Sequence, residues 1–491
     1  MRQRQFDLVV VGCGAGGLSA ATAAAEKGAS VAIIERAPES ERGGQTRYTE
    51  AYLRMKSKQE VTDDFEEHMA ANGGGYIDPD LVQETLRPLD ERQPQARTLN
   101  MVDPEFLQTL AGQAGPTIAW LESFGLQFDF LPTQFLTKSQ PRLLPVGGGL
   151  ALVEKLAGQA EKLGVSFFYE TTFCGLEVNE AGCVTSLVAR DAAGRRERFF
   201  GKIVLACGGF EGNAEMLTRY IGPRSIYLRP ICKGALFNRG EGIEMALAAG
   251  AATCGDFGSY HAEPIDPRSG VSEPSVFAFP YGVLVNKEGS RFTDEAPGAV
   301  DAHYENITRR IYEQTAGLAY VILDQKHTRI PKYRLSLRTD QPPLSASSME
   351  DLATLIGVPA KPLMATIEAF NAACVDGVFK PLEVNGLATV GLSPAKSNWA
   401  VPLDEPPFHA YPIISANVFT FGGLKIDENA QVLNTDGRRI EGLYAAGEIV
   451  GSYYHTYTGA TSVLKGLVFG RQAGLHAIKS RQAGALREVR A

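Results

Sequence analysis

The sequence lacks any apolar stretch that approaches the ~20 residues needed by a membrane-spanning helix. Residues 1–5 are polar, and the apolar run after them is interrupted by glycine rather than followed by a cleavage site, so we see no signal peptide. These absences predict a soluble, cytoplasmic protein without a membrane span.

Cysteine is scarce as well. The chain contains 7 cysteines, an odd number, and none of them forms a CxxC pair. This pattern is typical of a reducing compartment and argues against structural disulfides and against a cysteine-bound metal. We therefore predict no metal site.

Positive charge is in deficit, with 48 Lys and Arg residues against 56 Asp and Glu residues and a net charge of −8. Such a balance argues against nucleic acid as a partner. An apolar content of 44% and a charged content of 21% are ordinary for a globular protein. Because 491 residues exceed the roughly 250 to 300 at which one core stops growing, we expect at least two domains.

The strongest motif lies in residues 6–35, where an apolar strand, a glycine-rich turn, an alanine-rich helix and a second apolar strand at 31–34 precede Glu35. Gly12, Gly14 and Gly17 have the spacing GxGxxG, which brings backbone amides to a pyrophosphate. Glu35 stands where a carboxylate accepts hydrogen bonds from an adenosine ribose. The order of these elements predicts a dinucleotide site, and the motif alone leaves FAD and NAD open.

Two later segments add glycine at the ends of apolar runs. Residues 36–50 contain Gly43 and Gly44, which either let the backbone approach a ligand or belong to a solvated loop. The apolar run at 202–206 leads into Cys207 and Gly208. The composition changes near residue 256, and up to about residue 420 short strands (281–285, 319–323) alternate with helices (304–314, 349–356, 363–374). We interpret this stretch as an inserted second domain, followed by a final helix at about 462–480.

Taken together, several segments resemble the fumarate reductase and succinate dehydrogenase flavoprotein superfamily over nearly the whole chain. They are VVVGCGAGGLSAA, RGGQTRYTE, VLACGGFEGN, VNKEGSRFTDE, GLYAAGE and GLVFGRQAG. Within it, the chain is similar to tricarballylate dehydrogenase, 3-oxosteroid dehydrogenase and 4-oxocyclohexanecarboxylate desaturase. The resemblance implies an α/β fold: a Rossmann-like FAD-binding domain (1–256 and 420–491) with an inserted α+β capping domain (257–419).

The resemblance also implies FAD, because the later glycine-rich segments would surround a long, extended dinucleotide. The implied cofactor-binding residues are Gly12, Gly14, Ala15, Gly17, Glu35, Arg36, Gly43, Gly44, Gln45, Thr46, Cys207, Gly208, Gly447, Glu448, Ser462 and Val463. The helix start near Ser462 is suited to stabilise negative charge on the reduced flavin. Covalent members of the superfamily attach flavin through a histidine, and since Gln45 matches that position we predict non-covalent FAD.

The positions that hold two arginines and a histidine in the fumarate reductases match Tyr304, Tyr457 and Phe419 here. Losing both guanidinium groups removes a bidentate carboxylate clamp, which disfavours fumarate reduction. The tyrosines resemble those of the 3-oxosteroid dehydrogenases, which implies that Tyr304 takes a proton alpha to a ketone and that Tyr457 holds the ketone oxygen.

Other side chains remain in competition for these roles. His303 is a rival base, because its ordinary pKa lies nearer neutrality than that of tyrosine. His261 matches a histidine that superfamily members place over the substrate. Arg47 and Arg54 flank the flavin loop, and either is able to neutralise a substrate carboxylate. A purely structural role stays open for each of them.

From the resemblance and these departures we predict an FAD-dependent dehydrogenase that forms a C=C bond next to a carbonyl. The expected substrate is a small cyclic ketone or keto acid such as 4-oxocyclohexanecarboxylate. Alternatives are a tricarballylate-type polycarboxylate dehydrogenase, a fumarate-reductase-like enoate reductase, and a flavoprotein that only transfers electrons. Because the chain has no cysteine cluster or haem motif, the electron acceptor must be external: a quinone, a protein carrier or oxygen.

Overall fold

The structure is a computed structural model and describes residues 1–72, 79–130 and 142–488. Its strands, in chain order, are β1 Arg2–Val11, β2 Val31–Ile34, β3 Phe128–Phe130, β4 Leu143–Pro145, β5 Ser166–Phe168, β6 Thr172–Val178, β7 Val184–Arg190, β8 Arg196–Leu205, β9 Arg229–Pro230, β10 Thr253–Cys254, β11 Tyr260–Ile265, β12 Val283–Asn286, β13 Leu318–Leu323, β14 Leu344–Ala346, β15 Phe408–Thr420, β16 Gly423–Leu424, β17 Gln431–Leu433 and β18 Arg439–Ala445.

Its α-helices, in the same order, are α1 Ala15–Ala25, α2 Phe65–Asn72, α3 Pro79–Thr85, α4 Pro94–Arg97, α5 Pro104–Glu122, α6 Gly148–Lys162, α7 Ala214–Tyr220, α8 Glu241–Ala248, α9 Val300–Tyr312, α10 Met349–Ile356, α11 Ala360–Ala373 and α12 Ser462–Glu488. Strands and helices alternate along much of the chain, and the predicted α/β fold class is confirmed. None of the helices in the described ranges is both long enough and apolar enough to span a bilayer.

The larger sheet places β1 at its centre. Its main order is β17-β18-β8-β1-β2-β5, and β7 joins β6 to β8. β1 runs parallel to both neighbours, so that Val10 pairs with Ile33 on β2 and with Val204 on β8. The adjacent residues of β1 and all of β2 are buried, as in parallel strands covered on both faces. Because β1, β2 and β8 are parallel, their carboxyl ends meet at one edge of the sheet, where α/β proteins bind ligands.

Helix α12 packs directly against α1, which follows β1. α1 is made of small residues and every one of them is buried. A methyl group on Gly470 would lie 2.2 Å from the carbonyl oxygen of Gly16, so only glycine allows the two backbones to approach this closely. This contact between helices distant in the sequence helps to bring the start of α12 to the sheet edge where β1 ends.

A second sheet is built around β15, with the order β11-β15-β13-β12 and with β14 and β9 also paired to β15. β15 is antiparallel to β11 and β13, with Ile265 opposite Ile414 and Val321 opposite Tyr411. Helix α9 contacts β11 and β15. These elements carry His261 on β11, Tyr304 on α9 and Phe419 on β15.

The positions of single elements differ from the predictions by a few residues. The strand at 31–34 and the helix at 349–356 are confirmed as predicted. The helix predicted at 304–314 begins earlier, at Val300, so Tyr304 lies inside it, and the last helix continues to Glu488. β15 was not predicted as a strand.

Candidate functional site

A cavity of about 630 Å³ extends from the turn after β1 to the start of α12 and to the side chains of β11 and α9. This volume lies within the roughly 300 to 1,000 Å³ of small-molecule and cofactor sites. Its wall contains backbone from Gly12 to Gly16 at one end and the side chains of His261, Tyr304 and Tyr457 at the other. The cavity therefore joins the predicted dinucleotide motif to the predicted catalytic residues.

The turn after β1 is held close to the neighbouring strand. Gly12 has φ +103°, and a Cβ atom there would lie 2.2 Å from the carbonyl oxygen of Ala206, just beyond the end of β8. No other residue fits this position without moving the backbone. Gly14 and Ala15 line the cavity at the start of α1, where the N–H of Ala15 donates to Oγ1 of Thr46 at 3.1 Å. The first amides of a helix are suited to bind an anion.

Glu35 is fixed at the same end by two backbone amides. The N–H of Cys13 donates to its Oε2 at 2.8 Å, and the N–H of Ala37 donates to its Oε1 at 2.7 Å. Burial raises the pKa of this carboxyl, and the two amides oppose that shift. The carboxyl lines the cavity in a fixed orientation, as an acceptor for ribose hydroxyls requires.

Most of the predicted cofactor residues line the cavity. They are Gly12, Gly14, Ala15, Glu35, Arg36, Gly44, Gln45, Thr46, Cys207, Gly208, Gly447, Glu448, Ser462 and Val463. Gly17 and Gly43 do not: Gly17 faces the carbonyl oxygen of Gly12 behind the turn, and Gly43 faces the side chain of Val153. These two glycines shape the loops that carry the site.

Gln45 is held in the middle of the cavity by two carboxyl groups. Its Nε2 donates to Glu211 at 2.6 Å and to Glu448 at 3.3 Å. Burial, followed by the neighbouring Glu448, raises the pKa of Glu211 well above its usual range. An amide in this place offers no imidazole nitrogen for a covalent flavin link.

The hydroxyl of Tyr457 lies at the start of α12. Its oxygen accepts hydrogen bonds from the backbone amides of Thr461 at 3.0 Å and Ser462 at 3.1 Å. The first amides of a helix carry partial positive charge, which stabilises a neighbouring negative charge. The amide of Tyr457 itself donates to Glu305 of α9 at 3.0 Å. Tyr457 is thus tied to both sides of the cavity and sits where an oxyanion is stabilised.

Tyr304 and His261 form a pair opposite α12. The hydroxyl of Tyr304 lies 2.7 Å from Nε2 of His261, and the rings of His261 and Tyr457 have centroids 4.5 Å apart. Burial lowers the pKa of His261 to about 3, and burial together with Glu263 raises the pKa of Tyr304 well above its usual value. At neutral pH both groups are therefore uncharged, and the tautomer of His261 decides which of the two donates in this hydrogen bond.

The structure does not bring the other candidates to the cavity. His303 lies next to Tyr304 on α9, but adjacent helix residues face different directions, and its ring lies beside Gly298. Arg47 pairs with Glu154 at 2.9 Å and Arg54 pairs with Asp64 at 3.0 Å, and neither lines the cavity.

Sequence reasoning missed the charged wall around Arg338. Arg338 lies 3.2 Å from Glu50 and 3.5 Å from Glu273, and Glu263 also lines this part of the cavity. Burial, followed by Glu263, raises the pKa of Glu273 to about 8. Only Glu263 had a signal in the sequence, because it lies two residues after His261 on β11 and alternate strand residues face the same side.

Arg142 was missed too. It lies 3.5 Å from Asp301, and both residues line the cavity. Each of these two cavity arginines therefore has a carboxylate partner within the protein.

Comparison with known proteins gives a family match and several distant relatives. The family described as FAD binding domain matches residues 7–463. The vinyl phenol reductase of Lactiplantibacillus plantarum is 26% identical over 506 residues, covering 96% of both chains. The 4-oxocyclohexanecarboxylate 2-dehydrogenase of Sinomonas cyclohexanicum is 28% identical over 534 residues, covering 94% of this chain and 90% of the relative.

Two further matches are more limited. One relative is about twice as long as this chain, and a solved structure shows only a shared fold. The NADH:acrylate oxidoreductase of Vibrio harveyi is 28% identical over 96% of this chain, which spans only 50% of that relative. The crystal structure of the 3-ketosteroid-Δ4-(5α)-dehydrogenase from Rhodococcus jostii RHA1 has a TM-score of 0.67 at 24% identity, covering 97% of both chains. That likeness shows a shared fold.

Proposed function

We propose that this chain, which belongs to the FAD binding domain family, is an FAD-dependent dehydrogenase acting on a CH–CH bond next to a carbonyl. The observation that carries the proposal is the meeting of Tyr304, His261 and Tyr457 at the end of the cavity formed by the start of α12. Desaturation beside a ketone needs a group that moves a proton and a group that holds the developing oxyanion. The two tyrosines supply both.

The cavity fits FAD, whose chemistry when bound is to accept the hydride. Gly12, Gly14 and Ala15 would hold the pyrophosphate and Glu35 the ribose, while Gln45 and Ser462 would hold the flavin. Glycine is required at the turn, and both oxygens of Glu35 are oriented by backbone amides, which supports this assignment. We further propose that residues 257–419 act as the capping domain over the cofactor. The sheet around β15 supports that division, although β9 from the first segment joins it.

Tyr457 is proposed to hold the carbonyl oxygen of the substrate. Two amides donate to its hydroxyl oxygen, which makes the hydroxyl a better donor, and a substrate oxygen would replace Ser462 Oγ, 3.0 Å away, as the partner of its proton. As enolate character develops on that oxygen, the amides of Thr461 and Ser462 stabilise the charge transmitted through Tyr457.

Tyr304 is proposed to exchange the proton at the alpha carbon. Its raised pKa keeps it protonated in the resting cavity, so removal of a substrate proton requires that its own proton moves first. His261 Nε2 is the hydrogen-bond partner of that hydroxyl at 2.7 Å, and because burial lowers the pKa of His261 to about 3, it takes the proton only when negative charge that develops beside it raises this pKa. In the opposite direction Tyr304 already holds the proton that reduction of a C=C bond needs.

Reduction is therefore the second candidate, and the protonated state of Tyr304 is the observation that favours it. The relatives described as a vinyl phenol reductase and an NADH:acrylate oxidoreductase act in that sense. The relative described as a 4-oxocyclohexanecarboxylate 2-dehydrogenase acts in the sense proposed here. The same tyrosine pair serves both directions, since the steps are the reverse of one another.

The charges of the cavity support a cyclic ketone rather than a polycarboxylate. Arg142 and Arg338 both have carboxylate partners, so a substrate with several carboxylates would have to displace Asp301, Glu50 or Glu273 there. Among the arginines that line the described cavity wall, only the exposed Arg334 is left for one carboxylate. A ketone also acidifies its alpha hydrogen far more than a carboxylate does. We infer a cyclic ketone, with at most one carboxylate, and an external electron acceptor.

Anaerobic half-reactions test the proposal. Oxidised holoenzyme is mixed with saturated cyclic ketones, 4-oxocyclohexanecarboxylate and tricarballylate, and loss of the flavin absorbance is followed. We expect bleaching by a ketone and none by tricarballylate. Reduced holoenzyme is mixed in parallel with the matching enones, a vinyl phenol and acrylate. Rapid reoxidation of the reduced flavin in the second arm, without bleaching in the first arm, would show that the enzyme is a reductase rather than a dehydrogenase. If the flavin absorbance changes in neither arm, an electron-transfer protein would be favoured.

A further inference from the structure

Three lysines are almost completely buried, and they differ in their surroundings. Nζ of Lys396 lies 4.0 Å from Glu295, and Nζ of Lys425 lies 3.3 Å from Asp103. Nζ of Lys465 donates instead to the carbonyl oxygen of Val450 at 2.6 Å and to Oγ of Ser452 at 2.9 Å. Across the described ranges, no carboxylate lies within 4.0 Å of Lys465.

Lys465 is also the buried lysine that lines the large cavity. It lies in the first turn of α12, beside Ser462 and Val463, where the helix already presents partial positive charge. A lysine is electrostatically disfavoured at this end of a helix, and burying it without a carboxylate partner adds a desolvation cost. A negative charge on a molecule bound in the cavity near Lys465 would offset both of these costs.

The charged and titratable surroundings of Lys465 are few. Glu448 and Cys254 interact with it electrostatically, and the ring of Tyr453 lies 4.8 Å from its Nζ. Burial lowers the pKa of Lys465 to about 7, with Glu448 opposing the shift. A negative charge that appears nearby would therefore raise this pKa and draw a proton onto the lysine.

We propose that Lys465 is the counter-charge for the negative charge that the bound FAD acquires on reduction. The proposal rests on FAD binding and is independent of which substrate is oxidised. Lys465 would stabilise the reduced cofactor more than the oxidised one, and so would raise the reduction potential of the bound flavin. The charge of Lys465 would thus act together with the partial positive charge at the start of α12 to stabilise the reduced flavin.

The test is the two-electron midpoint potential of the holoprotein, measured by dye-coupled spectroelectrochemistry without substrate. Lys465→Met keeps the side-chain length and removes the charge. We expect the preference for reduced over oxidised FAD to fall on the order of tenfold, which lowers a two-electron potential by about 30 mV. Lys155→Met removes an exposed lysine from α6 and controls for net charge. An FAD-loaded Lys465→Met protein with the wild-type potential would overturn the proposal.

A second measurement needs no variant and covers the case in which Lys465→Met does not retain FAD. Proton uptake on photoreduction of the unmodified holoprotein is followed with an indicator dye at pH 6 and pH 8. At pH 6 Lys465 begins charged, whereas at pH 8 it begins largely neutral and gains a proton on reduction. Titration of the flavin itself lowers the uptake as pH rises. Uptake at pH 8 that equals or exceeds the uptake at pH 6 therefore supports the proposal, and a fall from pH 6 to pH 8 contradicts it.

Because these measurements use no substrate, they separate this proposal from the preceding one. If Lys465→Met lowers the potential and no half-reaction changes the flavin absorbance, the role of Lys465 is supported and the proposal of a dehydrogenase is rejected.

Discussion

Near Glu35, much of the cavity wall is backbone from residues 6–35, whereas near Tyr457 the wall is made of side chains from distant segments. At the first end the amides of Cys13 and Ala37 hold the carboxyl of Glu35, and Gly12 lets the turn approach Ala206. At the second end His261 comes from β11, Tyr304 from α9 and Tyr457 from the segment before α12. The proposed cofactor recognition thus depends on a local part of the chain, while the proposed chemistry depends on contacts between segments that are far apart in the sequence.

The largest effect is expected from the backbone end. Gly12→Ala should abolish FAD binding, because its Cβ atom would lie 2.2 Å from the Ala206 carbonyl oxygen. Gly28→Ala is the matched control, since Gly28 also has a positive φ but nothing within 4 Å of the added carbon. We expect the control to bind FAD and to lose about 1 to 2 kcal/mol of stability. FAD content per chain after purification measures the contrast, and equal loading of the two variants would contradict it.

At the side-chain end, Tyr457→Phe should lower turnover by about 10² or more while leaving FAD bound. This substitution removes the hydroxyl that accepts hydrogen bonds from the backbone amides of Thr461 and Ser462. Tyr312→Phe is the control, because the Tyr312 hydroxyl has no hydrogen-bond partner in the described structure and does not line the cavity. Single-turnover flavin reduction is the measurement, and equal rates for the two variants would discard the role of Tyr457.

Neighbouring residues on α9 give a sharper comparison. Tyr304→Phe should slow flavin reduction by about 10², since it removes the hydroxyl bonded to His261. His303→Ala should change the rate by less than about twofold, because His303 lies outside the cavity. The opposite order of effects would restore His303 as the base. A solvent isotope effect lost only in Tyr304→Phe would tie the hydroxyl to proton transfer.

The smallest effect concerns acid stability. His261 has its pKa lowered to about 3 by burial, against an ordinary value near 6.5. Between about pH 6.5 and pH 3 the unfolded chain therefore binds a proton at His261 and the folded chain does not. The free energy of unfolding falls as pH falls through this range. At pH 5 the loss is about 2 kcal/mol. Urea midpoints at pH 7 and pH 5 should show a smaller drop for His261→Gln than for the wild type, and an identical drop would contradict the buried neutral state.

The dinucleotide site could be predicted from the sequence, because strand, turn, helix and acid follow one another within residues 6–35 and their geometry is local. FAD as the cofactor and the α/β class followed from motifs of the same kind and are confirmed by the family match. The roles given to Tyr304, Tyr457 and His261 remain predictions that the structure brings into one place.

Which side chains face the cavity could not be predicted, because it depends on long-range packing. Arg338 meets Glu50 across 288 positions of sequence, which no local pattern encodes. Tyr304 and His303 are adjacent in the chain, and the rotation of α9 separates them. The sequence does not distinguish Lys465 from other helix lysines, and only the fold buries it against Val450, Ser452 and Tyr453. Local spacing determines backbone geometry, whereas long-range packing decides burial, pairing and charge.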